Sequence, residues 1–261
     1  MRRILFAACC AAFAAAAQAA PKAEPVQWTL DGTPFEGVLV HDDDGDRRKP
    51  GLLMVPNWRG VNASAVEKAR QLAGDDYVVL VADVYGRDVR PANDGEAGKV
   101  AGALRGEDGR ATLRARARKA LEVLQVQPQV DAEQVGAVGF CFGGTTVLEL
   151  ARDGASLAGV VSLHGGLSTS APAASAVAPA ILVLNGADDR GVSAEEIAGF
   201  QQEMDAVDAD WQFVNFAGAV HCFAESDADS PPNCVYHERS AKRAWRMMDD
   251  FFEERFGQRS P

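Results

Sequence analysis

A chain of 261 residues, 47% hydrophobic and 24% charged, carries enough apolar material for one well-buried α/β domain or two small ones. Its formal net charge of −11 argues against nucleic acid or an anionic membrane as a partner, because both demand clustered positive charge. Met1-Arg2-Arg3, an apolar run from Ile4 to Ala17 and the tripeptide Ala17-Gln18-Ala19 predict a signal peptide over residues 1–19. That run is too short for a comfortable membrane span, and no later stretch approaches one. The expectation is an exported, periplasmic protein with one domain over residues 20–261 and a formal charge of −13. Cleavage leaves Cys141, Cys222 and Cys234. An odd count in an oxidising compartment predicts one free thiol: Cys222 and Cys234 share one loop and form the natural pair, so Cys141 stays free.

In chain order, the alternation of Val26 to Leu30, the turn signal Asp31-Gly32 and the extended run Phe35 to Val40 predict a hairpin. The acidic run 42–46 lacks the spacing of a calcium loop and reads as solvated. Leu52 to Val55 is a short apolar strand, and Ala63 to Ala73 a helix capped by Asn62 and closed by Gly74. Tyr77 to Ala82 is continuously apolar, as expected of a strand covered on both faces. Residues 83–106 read as a glycine- and charge-rich excursion with one short helix. Arg110 to Gln125 predicts a helix with Leu113, Ala117, Ala120, Leu121 and Leu124 on its inner stripe. Arg110, Arg114 and Arg118 then fall on a solvated face.

The apolar run Val135 to Phe140 leads to Cys141, two glycines and a helical segment from Thr145 to Arg152. After it come strands at Leu157 to Leu163, Ile181 to Asn185 and Trp211 to Phe216, with a helix from Ala194 to Val207. A final helix carries Ala241, Trp245, Met248, Phe252 and Phe256 on one stripe. Repeated strand–helix units imply a doubly wound, mostly parallel sheet in an α/β domain.

The chemistry concentrates at Val138-Gly139-Phe140-Cys141-Phe142-Gly143-Gly144. A nucleophile between glycines on a sharp strand-to-helix turn is the G-x-C-x-G form of a nucleophile elbow. The turn needs small neighbours, and the helix N-terminus favours a thiolate. Working residues of such a sheet lie at the C-terminal ends of strands. His221, in the loop after the last strand, is the base that this topology selects; His41 and His237 read as surface residues, and His164 as lining the pocket or packing against it. Asp189 is the favoured acid and its neighbour Asp188 the alternative. Nucleophile, acid, then histidine is the chain order of an α/β-hydrolase fold.

With these residues in place, nearly all of the chain after residue 19 resembles the dienelactone hydrolase family. The likeness rests on Gly139 to Gly144, Asp83-Val84-Tyr85-Gly86-Arg87, Gly186-Ala187-Asp188-Asp189 and Gly218-Ala219-Val220-His221-Cys222-Phe223. The resemblance implies an α/β-hydrolase fold without a separate cap domain and a Cys-His-Asp triad that opens esters or lactones. By analogy the oxyanion hole falls to the N–H groups of Phe142 and Trp58, and substrate contacts to Asn57, Tyr85, Arg87 and His164. Two positions depart from the family: Asn57 stands where a Glu is common, and Glu225 where a second arginine is expected. Glu225 facing the pocket would repel an anion, with Arg59 as a compensating charge, which points away from dienelactone itself. No cofactor or metal is expected, the partner is a small ester or lactone, and the oligomeric state is a monomer or weak dimer. The rival readings are a thiol-redox protein using Cys141 and a non-catalytic scaffold that binds a small ligand.

Overall fold

The computed structural model describes residues 21–42, 47–74 and 76–257. The signal-peptide expectation and most of the acidic run lie outside the described residues. Eight strands form one sheet in the order β1-β2-β4-β3-β5-β6-β7-β8. The hairpin β1 (Lys22–Leu30) and β2 (Thr33–His41) joins β4 (Val78–Val81) antiparallel. From β4 onward every pairing is parallel, through β3 (Lys49–Val55), β5 (Val130–Phe140), β6 (Gly159–Leu163), β7 (Ala180–Gly186) and β8 (Trp211–Phe216). Every residue of β4, β6 and β7 is buried, which is why these strands read as unbroken apolar runs rather than alternating ones.

Two apolar cores fill the two faces of this sheet. Helices α2 (Asp94–Arg105), α3 (Glu107–Gln125), α4 (Phe142–Arg152) and α5 (Ala194–Ala206) contribute to one. Helices α1 (Ala63–Ala73) and α6 (Glu238–Phe256) pack on the other. Asn62 caps α1 as its side chain accepts from the Ala65 N–H, satisfying one of the donors that a helix start leaves open. The short helix expected within residues 83–106 is the twelve-residue α2. The loop after β8 adds a two-strand ladder, β9 (Asp229–Ser230) with β10 (Cys234–Val235).

Two expectations need correction. His41 is buried, not a surface residue: it ends β2 within the sheet, and its Nδ1–H donates to the Asp42 carbonyl. The arginine face of α3 is not solvated either. Arg110 and Arg114 turn onto α4, where both donate to the Glu149 carboxylate at 3.1 and 2.8 Å. Arg152 reaches the same carboxylate at 3.1 Å, and only Arg118 stays at the rim, on Asp153. A wholly buried carboxylate needs compensating charge, and that need outweighs the solvation of arginines in an acidic protein.

Candidate active site

At the C-terminal end of β5 the chain turns sharply into α4, with Cys141 as the helix N-cap at φ 54° and ψ −115°. This left-handed conformation is rare for a side-chain-bearing residue, and here the close packing enforces it. A Cβ on Gly139 would lie 2.0 Å from the Gly143 carbonyl oxygen, and one on Gly143 would lie 1.9 Å from that of Val55. Only glycine fits either place. The Cys141 N–H is held by the Leu163 carbonyl at 3.0 Å and His164 Nδ1 at 3.1 Å. The thiol is partly exposed and free, at the positive end of the α4 dipole.

His221 faces it from the loop after β8. Its Nε2 lies 3.0 Å from Cys141 Sγ, and its Nδ1 lies 2.7 Å from Asp189 Oδ2. The loop after β7 supplies Asp189, whose other oxygen accepts from the Gly191 N–H at 2.8 Å. Asp188 is exposed at the cavity wall, and its backbone N–H bonds the Ala219 carbonyl at 2.9 Å and ties the two loops together. Burial disfavours an imidazolium at His221. Hydrogen bonds to Asp189 and Cys141, and the charges of both, outweigh that and raise its pKa to about 10. A thiol, an imidazole and a carboxylate thus stand in one hydrogen-bonded line, an order that can serve as nucleophile, base and orienting acid.

Cys222 and Cys234 form a disulfide directly beyond His221, and the Val235 N–H bonds the His221 carbonyl at 3.1 Å. The expected pairing, with Cys141 as the free thiol, is therefore present. A cavity of about 1310 Å³ opens over the line, walled by Trp58, Arg59, Arg105, Asp188 and Arg190 among others. Arg59 is engaged with Asp94 at 2.5 Å.

The residues assigned to substrate contact separate. Asn57 borders the cavity, but its side chain is committed inward: its amide donates to Glu225 Oε2 at 2.6 Å and its oxygen accepts from the Arg59 N–H at 3.1 Å. Tyr85 lies behind the wall, where its hydroxyl donates to the Trp58 carbonyl at 2.9 Å; burial first, then the charge on Cys141, raises its pKa. Arg87 is on the outside beside Asp88, because the buried Asp83 that organises this turn is paired by Arg90 instead. His164 is fully buried under the elbow rather than in the cavity; burial, reinforced by the neighbouring His221, pushes its pKa well below the ordinary value. Trp58 does line the cavity, and Phe142 is buried with its N–H in the first turn of α4, where helix donors have no carbonyl of their own.

Glu225 also borders the cavity, as the sequence led one to expect, but it is 3% exposed, burial raises its pKa, and Lys68 Nζ at 3.2 Å offsets its charge. Lys68 was not among the expected site residues. Its sequence position offered a signal, since 65, 68, 69 and 72 form the buried stripe of α1 and a lysine there must have a partner. Among the described residues no group of three or more His, Cys, Asp or Glu side chains could hold a metal ion, and no helix is long and apolar enough to cross a membrane.

Comparison with known proteins agrees with this fold. The dienelactone hydrolase family model matches residues 35–256. A solved structure named m3DLH is 36% identical, with a TM-score of 0.86 over 92% of this chain and 100% of its own. A dienelactone hydrolase-like promiscuous phosphotriesterase from metagenomic libraries is 35% identical, with a TM-score of 0.85 over the same shares. A Bradyrhizobium protein named "Probable 2-oxo-3-(5-oxofuran-2-ylidene)propanoate lactonase" is 27% identical across 76% of this chain and 81% of that one.

Proposed function

The chain belongs to the dienelactone hydrolase family and is an ester or lactone hydrolase of that type, and from this premise we propose that Cys141 is its nucleophile, His221 its base and Asp189 the acid that orients the base. The observation that carries the reading is the line Asp189 Oδ2–His221 Nδ1 at 2.7 Å and His221 Nε2–Cys141 Sγ at 3.0 Å. His221 takes the thiol proton, and Asp189 keeps the ring's other proton on Nδ1 and stabilises the imidazolium. The thiolate adds to the carbonyl carbon, and the developing oxyanion is met by the N–H groups of Phe142 and Trp58. The imidazolium then protonates the leaving alkoxide as the C–O bond breaks. Water, deprotonated by His221, adds to the resulting thioester, and collapse returns the acid and the Cys141 thiol.

The 35% identity to a promiscuous phosphotriesterase supports a second electrophile for the same thiolate, the phosphorus of a phosphotriester. Export to the periplasm as one domain after a cleaved leader remains part of the proposal. A disulfide bond in the fold supports an oxidising compartment.

The test is hydrolysis of p-nitrophenyl acetate, a small lactone panel and an aryl phosphotriester by wild type, Cys141→Ala and His221→Ala. Each variant is expected to lose at least about 10³-fold in kcat/KM while staying folded. Equal activity in all three would dispose of the triad. A wild type inactive on every substrate, with ligand binding retained, would favour the non-catalytic scaffold.

A further inference from the structure

Along one wall of the cavity lies a largely buried polar cluster, its rim at the exposed Asp227, that the hydrolytic steps above do not use. Glu225 Oε2 receives the Asn57 amide at 2.6 Å and Lys68 Nζ at 3.2 Å. Lys68 is braced in turn by Ser64 Oγ at 2.6 Å and Asp227 Oδ1 at 2.9 Å. Glu225 Oε1 faces His164 Nε2 at 3.9 Å, and among the described residues neither atom has a hydrogen-bond partner. Because His164 Nδ1 accepts from the Cys141 N–H, the neutral ring carries its proton on Nε2, the side turned to Glu225. A fold that only needed to fill this space would do so more cheaply with apolar side chains, since a buried carboxyl costs desolvation even when paired.

What the cluster reaches explains its retention. The Asn57 side chain bridges Glu225 to the Arg59 N–H, and the Gly60 N–H closes the turn on the Asn57 carbonyl at 2.9 Å. Trp58, whose N–H is the proposed oxyanion donor, sits at the middle of that turn, and its carbonyl is fixed from the opposite side by Tyr85. Glu225 therefore touches the oxyanion loop through Asn57 and faces the support of the nucleophile through His164. We propose that Glu225 is a positioning residue of this active site: anchored by Lys68, it sets the orientation of the 56–60 loop, and hence of the Trp58 N–H, relative to Cys141. The proposal rests on the triad reading for its catalytic consequence. Its structural half stands apart from it.

The position also accounts for the departure at residue 57. An amide there donates to Glu225 and accepts from the loop backbone at once, which a carboxylate could not do. A carboxylate at 57 would instead face the Glu225 carboxyl across a buried gap.

Glu225→Ala tests it, since Lys68 keeps Asp227 and is not stranded as a buried unpaired cation. Expected on p-nitrophenyl acetate is a fall of about tenfold to 100-fold in kcat with KM within about twofold, the cost of a donor misplaced by a fraction of an ångström. Glu225→Gln, which restores an acceptor for Asn57, should recover most of that loss. Hydrogen exchange read on the same proteins should quicken in residues 56–60 and around Cys141 in Glu225→Ala, and not in α3. Any of three results would overturn the proposal: Glu225→Ala within about twofold of wild type in kcat, Glu225→Gln as slow as Glu225→Ala, or exchange that is unchanged or rises uniformly. Failure of the triad is read separately, from Cys141→Ala and His221→Ala. Should wild type hydrolyse nothing, the exchange pattern alone decides whether Glu225 sets the loop.

Discussion

Two buried carboxyl groups, Glu149 on α4 and Glu225 in the loop after β8, sit on opposite sides of the nucleophile elbow and are treated in opposite ways. Glu149, 0% exposed, accepts from Arg110, Arg114 and Arg152, so both its oxygens are bound. Glu225 has a single lysine and one amide, leaves an oxygen without a partner among the described residues, and faces a neutral histidine. Backbone strain follows the same division. Of the five non-glycine residues with positive φ among the described residues, Cys141, His164 and Cys222 belong to the site, and Asp31 and Asp208 lie elsewhere. A carboxylate with both oxygens bound and a relaxed backbone mark the seam that holds α3 on α4, although Arg110 Nε there has no partner among the described residues, whereas a carboxyl oxygen without a partner and strained backbone mark the end of the sheet where the proposed triad stands. The difference teaches where stability is stored and where it is given up.

The sharpest way to break this contrast is to damage the site without touching the seam. Asp189→Asn is isosteric and should lower kcat by about 10⁴, because an amide disfavours the productive His221 tautomer, and it should also lower stability at neutral pH by taking away the partner that holds the His221 imidazolium. Asp188→Asn should cost less than about threefold, and the reverse ranking in steady-state kinetics would move the acid by one residue. The same substitution carries a signed pH effect. His221 stands at about 10, above its ordinary 6.5, so its imidazolium stabilises the fold fully below about 6.5 and loses that contribution as pH rises through about 10. Removing the Asp189 bond and charge should move the alkaline limb of the pH–rate profile downward. An unmoved limb would mean that another group sets it.

The complementary cut is at the seam. Glu149→Gln strips the charge that three arginines share and should lower unfolding free energy by about 3–5 kcal/mol in urea titration. The folded fraction should keep kcat within about twofold, because no atom of Glu149 reaches the cavity. A large kcat loss with little destabilisation would erase the distinction between the two carboxyl groups.

How far these regions can be read from residues alone follows the same physics. Strands buried on both faces and helices with a clean apolar stripe, such as α3 with Leu113, Ala117, Ala120 and Leu124, announce themselves through periodicity. Helix α2 reads as a loose excursion because Gly95, Gly98 and Gly102 dilute its propensity and its inner stripe is only Ala97, Ala101 and Leu104. At the site, chain order singles out Cys141, Asp189 and His221, and the fold brings those three side chains into contact. It says nothing of Glu225 with Lys68, or of Glu149 with Arg110 and Arg114, because charged residues are surface residues by default and the burial of these is decided by partners 35 or more positions away. The contacts expected of Tyr85, Arg87 and His164 go astray for a related reason. A residue at the end of the right strand still has two sides to face, and sequence does not choose between the cavity and the layer beneath it.

The smallest of these effects probes the loop that joins the two behaviours. The Cys222–Cys234 bond closes a segment with a sequence separation of 12, so its removal as Cys222→Ser/Cys234→Ser should cost roughly 3 kcal/mol by the loop-entropy relation. Unlike the Glu149 change, this one should also reach the chemistry, because Cys222 is covalently next to His221 and the Val235 N–H holds the His221 carbonyl. A loop freed on one side leaves the imidazole less often within reach of Cys141, so kcat should fall by about tenfold, less than for loss of Asp189 and with KM little changed. Mild reduction of the wild type should reproduce both effects, and reoxidation reverse them. Loss of stability alone would place the disulfide with the seam, as a staple. Loss of both would place it with Glu225, as part of what holds the site in register.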